Sequence, residues 1–294
     1  MISVFAGKGG VGKTTCAAAS AIHYSSLGER TLVISTDATP SLSHIFETTA
    51  KSKPAKVAES LYISELGLAE VKELWNKKFG REVYEVFSSF VAIDYEEFLD
   101  FMTSLLPGLA EEFMVDYIRE LDVKGEYSNI IWDSAPLGQT LSLLETPAMM
   151  VEHLKMAPKI YSRLKRGSSK RESILGIIKG WRDLSKENVE FLCKRVEFTL
   201  VTIPEALAVQ QLDGIFAELN RFGFRVTQMV INNVVKTQDS DFLRTKAREQ
   251  DGYINHLRSR FAKLKIVEIP MFPNELKGVD RLKSATRILF GNSV

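Results

Sequence analysis

The sequence predicts an α/β protein: a parallel sheet flanked by helices, with an all-helical subdomain inserted into it. Three observations carry this expectation. Short apolar runs alternate with helical patterns at both ends of the chain, as strands buried on both faces and their crossover helices do. A glycine-rich stretch, "GKGGVGKTT" from Gly7 to Thr15, joins the first apolar run to the first helical pattern. Two long blocks, 68–122 and 148–192, carry helical spacing with no strand between their helices.

Taken in order, "ISVFA" (2–6) is a buried strand that ends at the glycine loop. "TTCAAASAIHYSSLG" (14–28) is Ala-rich and closes on Gly28, a helix with a C-terminal stop. "RTLVIST" (30–36) is the next strand and ends at Asp37; "NIIWD" (129–133) ends at Asp133. Strands follow at 196–203, 225–232 and 264–270, with helices at 204–222, 241–263 and 279–290. In the first helical block Phe87, Val91, Tyr95, Phe98, Met102 and Leu105 recur every three or four residues. In the second, Ile174, Ile177, Ile178 and Trp181 do the same. The expected division is therefore a sheet domain from 1–67, 123–147 and 193–294, and a helical subdomain from 68–122 and 148–192. Chemistry on such a sheet belongs beyond the carboxyl ends of the strands, where Asp37, Asp133 and Asn232 fall.

Composition excludes several classes. Among 294 residues, 38 Lys+Arg stand against 37 Asp+Glu, a net charge of +1. Nothing in that balance draws the chain toward nucleic acid, and no nucleic-acid partner is expected. Cys16 and Cys193 are the two cysteines and form no CxxC pair, so no zinc site is expected. No stretch approaches the roughly 20 apolar residues that span a bilayer. The opening residues read as a strand rather than a signal peptide. A cytoplasmic protein is the expectation.

Gly7-Lys8-Gly9-Gly10-Val11-Gly12-Lys13-Thr14 satisfies the phosphate-loop pattern G-x-x-x-x-G-K-[ST] in its required place between strand and helix. This makes the sheet a P-loop NTPase sheet. Successive backbone N–H groups form an anion nest, and the helix N-terminus adds partial positive charge. Lys13 is placed to reach the β- and γ-phosphates, and Thr14 to bind Mg²⁺. Asp133 suits a Mg²⁺ role, or else caps a following helix. Asp37 either positions the attacking water or turns the chain before its Ser-rich neighbour.

Several segments together resemble a known family. "KGGVGKTT" carries the additional lysine of the deviant phosphate loop, the mark of a dimeric ATPase class that includes ParA and MinD proteins, nitrogenase iron protein and the arsenite-pump ATPase. "STDATPSLSHIF" (35–46) resembles the first switch of one branch, and "WDSAPLGQTLSLLETP" (132–147) its second switch. "SLLPGLAEEF" (104–113) is similar to a segment of its helical subdomain, and "IPMFPNELKGVDRL" (269–282) to its adenine-side loop. The branch is the arsenite-pump and tail-anchored-protein targeting ATPase family, and the likeness runs from residue 2 to about 290.

That resemblance implies ATP and Mg²⁺ as cofactors. It implies a homodimer in which Lys8 reaches the partner's nucleotide. Lys13, Thr14 and Thr15 match the phosphate and Mg²⁺ contacts, Asp37 the water-activating residue, and Asp133 the second-switch aspartate. Asn232 matches the residue that reads the adenine edge, Pro273 the adenine-side loop, and Glu205 a residue near the dimer-facing ribose. It further implies an ATP-gated targeting factor that captures the transmembrane segments of tail-anchored proteins and meets a membrane receptor. The chain departs from the pattern at Ala38, Pro40, Gln139 and Ser142, and it lacks the zinc-binding CxxC. An arsenite- or antimonite-pump subunit and a ParA- or MinD-like positioning ATPase are the rivals. Two thiols fall short of a three-thiolate arsenic site, and the large helical insertions speak against a positioning module.

Met102, Met114, Met149, Met150 and Met156 fall in or beside the helical blocks, where they suit either an apolar groove or the subdomain's own core. "RLKRGSSKRES" (163–173) is a basic loop, solvated or placed against anionic lipid. The amphipathic C-terminal helix could lie on a membrane, but its close attachment to the 269–282 loop argues for packing on the sheet.

Overall fold

A computed structural model describes residues 1–36, 41–49, 53–88, 92–99, 109–134 and 169–291. It shows the α/β architecture expected. Eight strands form one sheet, in the order β3-β4-β2-β5-β1-β6-β7-β8. They are β1 (Ile2–Ala6), β2 (Thr31–Ser35), β3 (Ala55–Ala58), β4 (Leu61–Glu65), β5 (Asn129–Asp133), β6 (Val196–Thr202), β7 (Arg225–Val234) and β8 (Lys265–Pro270). All neighbours run parallel except β3, which is antiparallel to β4.

The central strands have no wet face. β2 and β5 are buried at every position, so their sequences are continuous apolar runs rather than alternations. The covering helix α1 (Lys13–Ser26) is rich in alanine because it lies close to its neighbours: Ala17, Ala18, Ala19 and Ala21 are all fully buried. The C-terminal helix α9 (Gly278–Phe290) packs on α1 and β8 through Leu282, Ala285 and Leu289. Thr286 secures that contact, its Oγ1 donating to the Ala19 carbonyl at 2.9 Å. Its apolar face is thus spent on protein. Between these two helices come α2 (Leu42–Ile45), α3 (Leu68–Trp75), a π-helical turn (Asn76–Gly80), α4 (Arg81–Phe87), α5 (Leu109–Lys124), α6 (Ser169–Arg195), α7 (Ala206–Arg221) and α8 (Asp241–Arg260).

The β3–β4 hairpin is absent from the sequence-based assignment. Its turn places Ser60 at φ 58°, a conformation ordinarily announced by Gly or Asn. β3 is four residues long, too short for a visible alternation. β7 also runs on to Val234, two residues beyond its expected end.

Two compact units emerge: Met1–Leu66 with Lys124–Thr140 and Cys193–Val294, and Gly67–Val123 with Leu141–Leu192. The second holds no strand among its described residues. Its core is aromatic. Trp75 lies 6.0 Å from Phe98 and 6.5 Å from Phe113, and Phe79 meets Trp181 edge-on. Tyr95 and Phe98 of the expected stripe belong to this core, as does buried Met114. Met102, Met149, Met150, Met156 and the loop 163–168 lie outside the described residues. Asp116, almost fully buried, is held by Lys78 at 2.5 Å and Arg119 at 2.8 Å. Burial of such a carboxylate is tolerable only with partners of this kind.

His23, near the end of α1, stacks on Phe290 with ring centres 3.9 Å apart. Burial pushes its pKa below the usual 6.5, partly opposed by the negative charge of Glu29. The folded chain therefore prefers neutral His23. As pH falls through about 6.5 the unfolded state takes up the proton first, and stability drops until the folded pKa is reached. Compared with His23→Leu, the natural chain should lose unfolding free energy between pH 7.5 and 5.5, by no more than about 1.4 kcal/mol per pH unit. Urea midpoints at both pH values check this; parallel pH dependence of the two proteins would sink it.

Candidate functional site

The site grows from the carboxyl end of β1. Gly7 follows the strand directly, and a Cβ there would stand 2.2 Å from the Val201 carbonyl oxygen of β6. Gly10 and Gly12 have φ of 78° and 96°, where side chains are strained. Glycine at these positions lets the loop turn sharply against β6 and enter α1. Gly12 precedes α1 and provides no side-chain cap, and no acidic residue sits in the helix's first turn. The first N–H groups of α1 thus face the loop with their partial positive charge uncancelled, a cradle that fits phosphate.

Lys13 is the first residue of α1 and only 7 % exposed. Its Nζ donates to the Lys8 carbonyl at 3.1 Å, which bends the ammonium back over the loop. Thr14 Oγ1 donates to Asp133 Oδ2 at 2.9 Å. Ser41 Oγ donates to the same oxygen at 3.2 Å. Asp133 is 1 % exposed and ends β5, paired in register with Phe5 of β1 and Ser35 of β2. One carboxylate and two hydroxyls, all oxygen, make a donor set suited to a hard cation such as Mg²⁺. The strand end is braced: Trp132 donates through Nε1 to Thr36 Oγ1 at 3.0 Å, and Ser134 through Oγ to the Phe5 carbonyl at 2.7 Å.

Cys16 lies one turn into α1. Burial, and secondarily the charge of Asp133, push its thiol up to about 12. Cys193 is half-buried, 3.3 Å from the Phe222 carbonyl, and its pKa is also raised by burial. Neither is a thiolate at neutral pH, the form that binds soft metals. No group of three or more His, Cys, Asp or Glu fit for a metal occurs among the described residues.

Asn232, on β7, donates from Nδ2 to the Val11 carbonyl at 2.9 Å, directly over Gly12. A cavity of about 280 Å³ opens between Thr14 and Thr15 on one side and Ser41, Ile45 and Leu276 on the other. His44 and Glu275 approach to 4.0 Å at this cavity. Pro273 is exposed in the same β8–α9 connection. Glu205 sits at the start of α7 and pairs with Lys246 of α8 at 3.3 Å. The structure thus gathers Gly7–Thr15, Asp133 and Asn232 around one loop, whereas Glu205 engages α8. Asp37, Ala38, Pro40, Gln139 and Ser142 lie outside the described residues.

Two participants escaped the sequence reading. Ser41 stood inside the first-switch segment with no feature to distinguish it from Ser43. Glu65 ends β4, and its Oε1 accepts the N–H groups of Leu42 and Ser43 at 2.8 and 3.0 Å. The sequence assigns no strand to 61–65, so nothing there marks Glu65.

The chain matches the anion-transporting ATPase family over residues 1–291. A protein of Aquifex aeolicus named as an arsenical pump-driving ATPase is 29% identical, over 97% of this chain and 97% of its own. A protein of Prosthecochloris vibrioformis with the same designation is 27% identical over 99% of this chain and 76% of its own. The ATPase GET3A of Arabidopsis thaliana is 27% identical over 95% of this chain and 80% of its own.

Proposed function

Since the chain belongs to the anion-transporting ATPase family, an ATP-hydrolysing enzyme, we propose that it works as an ATP-gated targeting factor for apolar transmembrane segments. The observation that carries the nucleotide part is the meeting of Thr14 and Asp133 at 2.9 Å beside the phosphate loop. In this reading Gly7–Thr15 bind the phosphates, and the Lys13 ammonium leaves the Lys8 carbonyl to neutralise phosphate charge. Thr14 and Asp133 hold Mg²⁺, which when bound screens the phosphate oxygens. Asp37 orients water for attack. Asn232 and Pro273 flank the adenine, and Asn232 would exchange the Val11 carbonyl for the base.

Two copies face each other in this proposal, with Lys8 and Glu205 of one near the nucleotide of its partner. The helical unit supplies the apolar surface for a client, a membrane receptor takes the client over, and the cycle runs in the cytoplasm without zinc. Resemblance to the targeting ATPases, GET3A among the relatives, and the size of the helical unit support this. No described helix is long and apolar enough to cross a membrane.

The test is co-expression with a tail-anchored protein, followed by native mass measurement of the complex with ATP and with ADP. The Asp37→Asn variant should bind ATP, fail to turn it over, and retain the client. Client retained in no nucleotide state would remove the targeting role, and normal turnover by Asp37→Asn would remove the hydrolytic one. A second reading, an arsenite- or antimonite-pump subunit, is favoured by the names of the bacterial relatives. It requires arsenite to stimulate turnover, although both thiols here are held protonated.

A further inference from the structure

We infer that Glu65 is a positioning residue for the metal side of the site: by capping α2 in place of Ser41, it releases the Ser41 hydroxyl to Asp133. Ser41 is the residue that precedes α2. A serine there ordinarily turns its Oγ onto the N–H groups of its own helix, two or three residues on. Ser41 makes no such bond. Of the two N–H groups such a cap would use, Glu65 already takes the nearer: its Oε1 accepts from Ser43 N at 3.0 Å, and from Leu42 N at 2.8 Å, while Ser41 keeps helical backbone angles of φ -114° and ψ -35°. The other oxygen, Oε2, accepts the Ser43 hydroxyl. Three bonds from one carboxylate thus fix the start of α2, and the Ser41 Oγ points instead to Asp133 Oδ2, 3.2 Å away. Glu65 can do this because β4 lies beside β2 and ends level with it: Glu65 pairs in register with Ser35, and Ser35 pairs with Asp133. The two carboxylates occupy the same level of the sheet, with α2 between them as the link.

Glu65 touches neither Asp133 nor Thr14. Its effect runs through Ser41, and it rests on Asp133 and Thr14 being the Mg²⁺ ligands. Without Glu65, Ser41 recovers its capping role and turns away from Asp133. The Asp133 oxygen then loses a hydroxyl that, with Thr14, orients it toward a cation among the described residues.

The experiment uses the full chain with ADP, titrated with Mn²⁺ as the probe and read by the EPR signal of the free ion. Glu65→Ala should weaken Mn²⁺ binding by about three- to tenfold, the scale of losing one ordinary hydrogen bond, since Ser41 acts on the ion only through Asp133. Ser41→Ala should weaken it similarly. The double variant should bind no worse than Ser41→Ala alone, since the two act as one unit. Glu65→Gln keeps an oxygen for both amides and should stay within about twofold of the natural chain on the same bond count. Glu65→Asp is one methylene too short, should behave like Glu65→Ala, and serves if the alanine variant does not fold. Natural Mn²⁺ binding in Glu65→Ala or Glu65→Asp, or additive loss in the double variant, overturns the inference. Asp133→Asn is the separate control: if it leaves Mn²⁺ binding unchanged, the metal-site reading itself fails, whatever Glu65 does.

Discussion

Lys13→Ala should reduce ATP turnover by about a hundred- to a thousandfold, the effect of deleting one preorganised donor aimed at transition-state charge. The cause is local. Lys13 opens α1, is nearly buried, and already hovers over the loop through the Lys8 carbonyl. A cation held there has given up most of its water before phosphate arrives, so its attraction to phosphate is little screened. Its hydrogen bond to the Lys8 carbonyl has a neutral acceptor, a weaker partner than a phosphate oxygen. Phosphate release under saturating ATP, with thermal melts as the control, checks the prediction. Turnover within tenfold of the natural chain, from a folded variant, would contradict the assignment of Lys13.

Gly7→Ala should damage fold and site together. The added methyl would meet the Val201 carbonyl oxygen at 2.2 Å and a Val11 methyl at 3.2 Å. The oxygen belongs to the β6 backbone, so no side-chain rotation relieves the clash. Either the loop lifts away from β6 or the strand shifts, at the usual cost of overpacking, about 1–3 kcal/mol. In a protein of this size that lowers the melting temperature by several degrees, on the order of 2–4 °C per kcal/mol. Nucleotide affinity should fall further, because the lifted loop no longer aims its N–H groups. Gly10→Ala is the comparison: nothing lies within 4 Å of its Cβ, and its cost is the positive φ alone. A Gly7→Ala melt equal to that of the natural chain would show that the close approach to β6 does not constrain the loop.

Much of this site was legible because its physics is local. Gly7 to Thr14 form an anion nest from adjacent residues, and the surrounding strand and helix are strongly patterned. Asp133 was placed because it ends a fully buried apolar strand. Other features were opaque because they depend on distant pairing. Ser60 turns a hairpin without glycine, so β3 and β4 carried no punctuation. Glu65 then had no strand to stand on, and its bonds to Leu42 and Ser43 bridge more than twenty intervening residues. Ser41 and Ser43 are identical in type and only two residues apart, yet one faces Asp133 and the other Glu65. Ser41 precedes α2 and Ser43 lies inside it, and the register of β4 and β5 sets which carboxylate each one meets. The C-terminal helix, amphipathic enough to lie on a membrane, is tied by sequence to the 269–282 loop, which argues for packing, and Leu282, Ala285 and Leu289 do lie against α1 and β8.

The thiol of Cys16 has a consequence for oxidants. Oxidation of cysteine begins from the thiolate, and a thiol held near 12 next to the Asp133 charge offers almost none of it. Cys193, half-buried at the far end of α6, is the other cysteine, and burial raises its thiol in the same direction. Cysteine oxidation at Cys16, one turn from the phosphate loop, is therefore disfavoured by the same burial that packs α1 against the sheet.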